Sequence, residues 1–210
     1  MYNLSLGPIV KLETPITEIT EHAKYRQSSK RSNNIRNQQV DTRRDSLTTE
    51  LVGMVGEFIV AQYYSKLLKQ DIRVNLEDYM GGDNGIDFAD INGYSIDVKT
   101  GNYVHNDLIF PDLSKFRADI AILVVPVSRQ YQSFLREENP LMRIAGWEYR
   151  EVFINDCIYH YRHTESAMER ASGTWWGYGK TQTNVLMDCS KCDHHANPIR
   201  PIKIPHYATT

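Results

Sequence analysis

One stretch constrains this chain more than any other. ADIAILVVPV, Ala118 to Val127, is apolar at every position but Asp119. A strand with one solvated face alternates apolar and polar residues, whereas a run without alternation needs cover on both faces. The run is too short for a bilayer, which takes roughly 18 apolar residues, and no other stretch comes closer. It therefore predicts the central strand of a sheet with a layer packed on either side. With 41% hydrophobic residues and a net charge of only −2, the 210 residues can fill such an interior without staples, and disorder as the main state is excluded. Twelve glycines and eight prolines without period exclude a collagen-like or low-complexity chain.

Ahead of that strand, Leu51, Val55, Phe58, Ile59 and Tyr63 recur at helical spacing and predict a helix over Glu50–Leu68, capped by Thr48 or Thr49. Gly53 and Gly56 inside it cost helix propensity, which is tolerable where a sheet or a substrate approaches that face closely. Ile72–Leu76 reads as a strand, and the following DYMGGDNG as a loop.

Gly85 to Thr100, GIDFADINGYSIDVKT, reads as a β-hairpin. A two-residue Asn92-Gly93 turn would mix apolar and charged side chains on both faces. A three-residue loop, Ile91-Asn92-Gly93, puts Ile86 opposite Val98 and Phe88 opposite Ile96 on one face, with Asp87 opposite Asp97 on the other. A slip of one residue exchanges the faces, so the apolar pattern selects the second register. Asp87, Asp97 and Lys99 then share a surface. Further on, RIAGWEYREVF reads as another strand or hairpin arm, and the tail from Tyr159 is rich in His, Cys and aromatics. The economical organisation is one α/β domain with a core over about 48–155, a basic N-terminal arm over about 22–46 and a C-terminal extension over about 156–210.

Two carboxylates facing each other across a hairpin repel unless a cation lies between them. Mg²⁺ suits the place, since it takes one or two carboxylates, several waters and substrate phosphate oxygens; Mn²⁺ could replace it. The carbonyl of Val98 offers a further ligand, and Lys99, on the face of Asp97, could hold a water or neutralise charge developing on a phosphorane. Glu57 is the third acid that stands out, directly after the helix glycines.

The order Gly53-x-x-Gly56-Glu57 on a helix, then Gly85-Ile86-Asp87, then Ser95-Ile96-Asp97-Val98-Lys99 resembles the PD-(D/E)XK nuclease superfamily. Ala118-Asp119-Ile120 and Ala145-Gly146-Trp147 resemble segments of its phage and bacterial members, so the likeness covers about Thr48 to Phe153. Ile86 stands where the name-giving motif has proline. The resemblance implies a restriction-endonuclease-like fold, a mixed central sheet flanked by helices. It also implies Asp87 and Asp97 as metal ligands, Lys99 as the catalytic lysine, and Glu57 as a further ligand, often through water.

From Lys24 to Arg44, seven basic residues stand against the single acid Asp41, a net of +6. Either this is a solvated arm or it tracks phosphates, with Lys24, Arg31, Arg36, Arg43 and Arg44 as contacts to nucleic acid. Cys189-x-x-Cys192 with His194 and Cys157 could hold a structural Zn²⁺; the plainer reading is isolated thiols and histidines. Trp175 and Trp176 read as core or dimer-contact residues, or as a base-stacking loop. Three cysteines and a start without a secretory signal's charge and apolar run lead to an expectation of reduced thiols in a cytoplasmic protein, prokaryotic or phage-derived, without membrane contact. The functions expected are a Mg²⁺-dependent DNA endonuclease or resolvase, a phage-type exonuclease, or, in another class, a non-catalytic nucleic-acid-binding module. A weaker alternative is an interaction protein whose hairpin acids bind a structural cation.

Overall fold

The computed structural model describes residues 7–32, 45–76, 85–104, 108–110, 116–156, 158–161 and 175–179. In chain order these form β1 (Ile9–Lys11), α1 (Ile16–Ser32), α2 (Ser46–Leu68), β2 (Phe88–Ile91), β3 (Tyr94–Thr100), β4 (Leu108–Phe110), β5 (Ile120–Pro126), β6 (Leu141–Tyr149), α3 (Arg150–Asp156), β7 (Ile158–Tyr161) and β8 (Trp175–Gly179). A short 3₁₀ turn, Ser133–Arg136, precedes β6. The fold is mixed α/β.

The apolar run becomes β5, and all seven of its residues are buried. It is the middle strand of a five-stranded mixed sheet ordered β1-β6-β5-β3-β2. β3 runs parallel to it, from Ile96 opposite Ile120 to Thr100 opposite Val124, and β6 runs antiparallel. Each face has its own core. Ile120, Ile122 and Val124 pack with Ile96, Val98 and the α2 residues Val52, Val55 and Ile59. Ala121, Leu123 and Val125 pack with Phe110, Phe116 and Phe153. Two-sided cover, inferred from the missing alternation, is what β5 has. A second sheet, ordered β4-β8-β7, joins the C-terminal segment to the strand after β3.

α2 begins four residues earlier than expected. Its cap is Asp45, whose carboxylate accepts the N–H of Thr48 at 2.7 Å, so Thr48 is a donor to the cap and not the cap itself. The expected close approach occurs at Gly56: a Cβ there would collide with Thr100 Oγ1 and lie 3.2 Å from Val98 Cγ1. Gly53 has nothing within 4 Å of that position. Ile72–Leu76 is not a strand. Ser65 Oγ accepts the N–H of Ile72 at 3.0 Å and donates to its carbonyl at 3.1 Å, fastening the segment along α2 instead.

The hairpin pairs Phe88 with Ile96, as the apolar pattern required, but by another device. The turn is the two-residue Asn92-Gly93, with φ of 55° and 85°, so Ile91 pairs with Tyr94. A bulge between Phe88 and Ile91 absorbs the extra residue and restores the register. Ile86 does not face Val98; it packs with the Phe110 cluster on the other side of the sheet. The chain crosses over at Asp87, which takes its hydrogen bonds outside the regular ladder.

The core also reaches further toward the N-terminus than 48. β1 pairs with β6, and Ile16, Ile19 and Ala23 of α1 are buried against the α2 side of the sheet. Part of the expected basic arm, up to Ser32, is thus a packed helix. Among the described residues no helix is long and apolar enough to cross a membrane.

Candidate active site

The geometry around β3 follows from strand alternation. Ile96 and Val98 turn toward α2, so Asp97 and Lys99 turn to the opposite face, level with Ala121 and Leu123. Asp97 is 2% exposed and forms an ion pair with the Lys99 ammonium. That ammonium also stands 4.9 Å from the centroid of the Phe110 ring. Phe110 stacks on Phe116 at 4.1 Å and leans on Phe153 at 5.2 Å, so the lysine rests on a fixed aromatic platform.

Asp87 approaches from the edge. Its N–H donates to the Ile96 carbonyl at 2.8 Å, and its Oδ2 accepts the N–H of Val98 at 2.6 Å. A strand N–H lies near the plane of its sheet, so this carboxylate sits beside β3 at the peptide that links Asp97 to Val98. Val98 itself is buried, and its N–H is committed to Asp87.

Glu57 lies in the α2 layer, on the other side of the sheet from Asp97 and Lys99. Both its oxygens are engaged by Arg26 of α1, Nη1 to Oε1 at 2.8 Å and Nη2 to Oε2 at 2.9 Å, and Arg26 Nη2 also reaches the Asn75 carbonyl at 2.9 Å. Burial alone would lower the pKa of this guanidinium. The carboxylate of Glu57, with the charges of Glu50 and Asp87, more than offsets burial and holds it above its ordinary value.

Asp97 is paired with Lys99 and Asp87 is tied to the Val98 N–H beside them, with no Asp87–Asp97 pairing in the hairpin ladder, and Glu57 is paired with Arg26. Among the described residues no three His, Cys, Asp or Glu side chains converge as a metal-holding group. Asp87 and Asp97 carry the hard, anionic oxygens that would suit Mg²⁺, an ion content with one or two carboxylates. Glu57, held in the Arg26 fork, does not fit that set.

Three further residues have partners or positions that the sequence pattern does not assign. Arg26 was only one of seven cations in a polar segment. Glu148, 7% exposed, lies in one cross-strand row with Asp97 and Ala121, about 10 Å from Asp97 at two strand spacings, on the same face of the sheet. Its signal, an acid inside an apolar strand, was there to be read. Asp119 joins the parallel strands: its Oδ2 accepts the Ser95 hydroxyl at 2.6 Å and the Ser95 N–H at 3.0 Å. A groove of about 550 Å³, lined by β1 and by Gln62, Tyr63 and Lys66 of α2, includes none of these residues.

Of the predicted nucleic-acid contacts, Lys24 is exposed on α1 and paired with Glu21 at 2.7 Å. Arg36, Arg43 and Arg44, the side chain of Arg31, and the zinc candidates Cys157, Cys189, Cys192 and His194 lie outside the described residues. No family model, curated protein or solved structure matches this chain.

Proposed function

We propose that this protein is a Mg²⁺-dependent deoxyribonuclease, an endonuclease or resolvase, hydrolysing phosphodiester bonds. One observation carries the reading: a buried aspartate and a lysine two residues apart on one face of the strand beside the sheet's centre, with a second aspartate bound to the peptide between them. Hard carboxylate oxygens beside an ammonium are the combination that phosphodiester hydrolysis uses. A bound divalent cation supplies Lewis acidity and lowers the pKa of its water. Asp87 and Asp97 would hold that cation. Lys99, resting on Phe110, would neutralise the charge that builds on the phosphoryl oxygens, without reorganising as it builds.

A second reading, a non-catalytic nucleic-acid-binding module, is favoured by the fact that Asp97 and Glu57 each already have a basic partner. Incubation with circular, linear and branched DNA and with RNA, in Mg²⁺ and in chelator, separates the two. Cleavage of circular DNA that stops in chelator supports the endonuclease; cleavage confined to ends makes it an exonuclease. Binding without cleavage of any substrate supports the module and ends the catalytic reading.

A further inference from the structure

β3 and β5 run parallel, so both end at the same edge of the sheet, Thr100 opposite Val124. In open α/β sheets ligands settle where parallel strands end. The two loops that leave this edge are fastened to each other. The Gly101 N–H continues the ladder to the Val124 carbonyl at 2.8 Å, and the buried Asn102 then grips Gln132 twice. Its Oδ1 accepts Gln132 Nε2 at 3.2 Å, and its carbonyl accepts the Gln132 N–H at 3.4 Å. Gln132 is left-handed, with φ of 52°, and Phe134 just beyond it is sunk in the core on the α2 side.

These fastenings bring two tyrosines together. The rings of Tyr103 and Tyr131 have centroids 5.1 Å apart and are tilted by 46°. Both residues stay partly exposed although the chain beside each is pinned. On the loop after β5, Arg129 and Gln130 are exposed, and among the described residues no carboxylate pairs with Arg129. Rings on which bases stack, beside a cation for the phosphates, are what single-stranded nucleic acid binds. Chain connectivity bounds their distance from the candidate site. Tyr103 follows Lys99 by four residues, so their Cα atoms are at most about 14 Å apart. A strand advances about 3.4 Å per nucleotide, which puts the rings about four stacked nucleotides or fewer from a phosphate at Lys99. A base inside an intact duplex has both faces covered by its neighbours. Only an unpaired base can lay a face on a protein ring.

We infer that Tyr103 and Tyr131, with Arg129, form a platform for an unpaired base of the DNA strand held at Asp97 and Lys99. The substrate class is then DNA with a single-stranded segment beside the cut: a branch, a flap or a frayed end. The inference rests on the deoxyribonuclease reading above and narrows it. The tyrosines select the substrate and take no part in the chemistry.

The test is binding of the full chain, in CaCl₂, to a splayed duplex paired over one half only and to its fully paired counterpart. 2-Aminopurine, a fluorescent base quenched by stacking, replaces each of the first four unpaired bases in turn. Wild type should bind the splayed form more tightly and quench at least one of the four positions. Tyr103→Ala and Tyr131→Ala should release that quenching. They should weaken splayed binding about fivefold or more and leave paired binding within about twofold. Tyr103→Phe and Tyr131→Phe keep the ring and should behave as wild type. Arg129→Ala should flatten the salt dependence of splayed binding by about 0.7 log–log units, the value for one phosphate on a single strand.

Alanine variants that lose the splayed and the paired form alike overturn the inference, since the rings are then only a clasp between the loops. So do phenylalanine variants as weak as the alanine ones. Tighter binding of the splayed RNA counterpart also overturns it, by removing DNA as the substrate class. Should an alanine variant give no cooperative melt, wild type decides: a quenched position supports the platform, and none of four quenched overturns it. The digest in MgCl₂ keeps the two readings apart. Wild type that cleaves splayed DNA, beside alanine variants that cleave it equally well, ends the inference only. Wild type that stacks unpaired bases on the tyrosines and cleaves nothing ends the nuclease reading and keeps the platform.

Discussion

At Asp97 the protein has taken a carboxylate almost wholly out of water and given it an ammonium in exchange. The two cannot be altered independently without consequence. Asp97→Asn removes the anionic oxygen and should abolish cleavage in a plasmid-nicking assay. Lys99→Met should lower the rate by about 10²–10³-fold, the usual loss for one preorganised electrostatic donor, while Mg²⁺ binding persists. It should also lower the melting temperature, because Asp97 is then buried without its partner. Asp119 titrates in the opposite sense to what burial alone would do. Burial pushes its pKa up, but the Ser95 hydroxyl and N–H, with the charge of Arg150, hold it below the ordinary aspartate value. A folded pKa below the unfolded one, about 3.9, contributes stability above that pH, and the contribution fades as pH falls through the folded value. The melting difference between wild type and Asp119→Asn should be full at pH 6–7 and shrink below about pH 4, followed by circular dichroism; a constant difference would remove the linkage. Asp97 and Lys99 were legible as a pair because alternation alone puts residues two apart on one face. The fork on Glu57 was not, since nothing local ties residue 26 to residue 57.

Elements show where pattern suffices and where it does not. The Phe88–Ile96 pairing follows from burial, and burial is what an apolar pattern encodes. The turn does not follow, because a two-residue turn with a bulge and a three-residue loop leave Phe88 and Ile96 opposite each other. Asp45 and Thr48 are both capping types, and only the direction of one hydrogen bond tells them apart. The two glycines of α2 give a sharp contrast. Gly56→Ala drives a methyl into Thr100 and should destabilise the fold by about 1–3 kcal/mol through overpacking. Gly53→Ala meets nothing and should be neutral or stabilise by up to about 1 kcal/mol. Urea denaturation of the two variants measures both; equal effects would mean that α2 does not ride on β3 at Gly56.

On the scale of the whole molecule, the basic composition of the N-terminal segment concealed a core helix. α1 is part of the core through Ile16, Ile19 and Ala23, three apolar residues too sparse among polar neighbours to announce a helix. Removing residues 1–32 should therefore cost the fold, seen as a lost cooperative melt. Replacing Arg36, Arg43 and Arg44 by Ala should flatten the salt dependence of DNA affinity by about 0.9 log–log units per lost phosphate contact. An unchanged slope would make that segment a solvated connection only. The placing of β1 has one more outcome, and it concerns the order of synthesis. β1 is made before the other strands of its sheet, yet its partner is β6, Ile9 lying against Arg143. At 5–20 residues per second, Ile9, Val10 and Leu12 wait roughly ten seconds on the ribosome before the strand they pair with exists. The sheet's edge is thus the last part of the sheet to close, and a nascent chain stalled before β6 would present that apolar segment to whatever chaperone or neighbouring chain met it first.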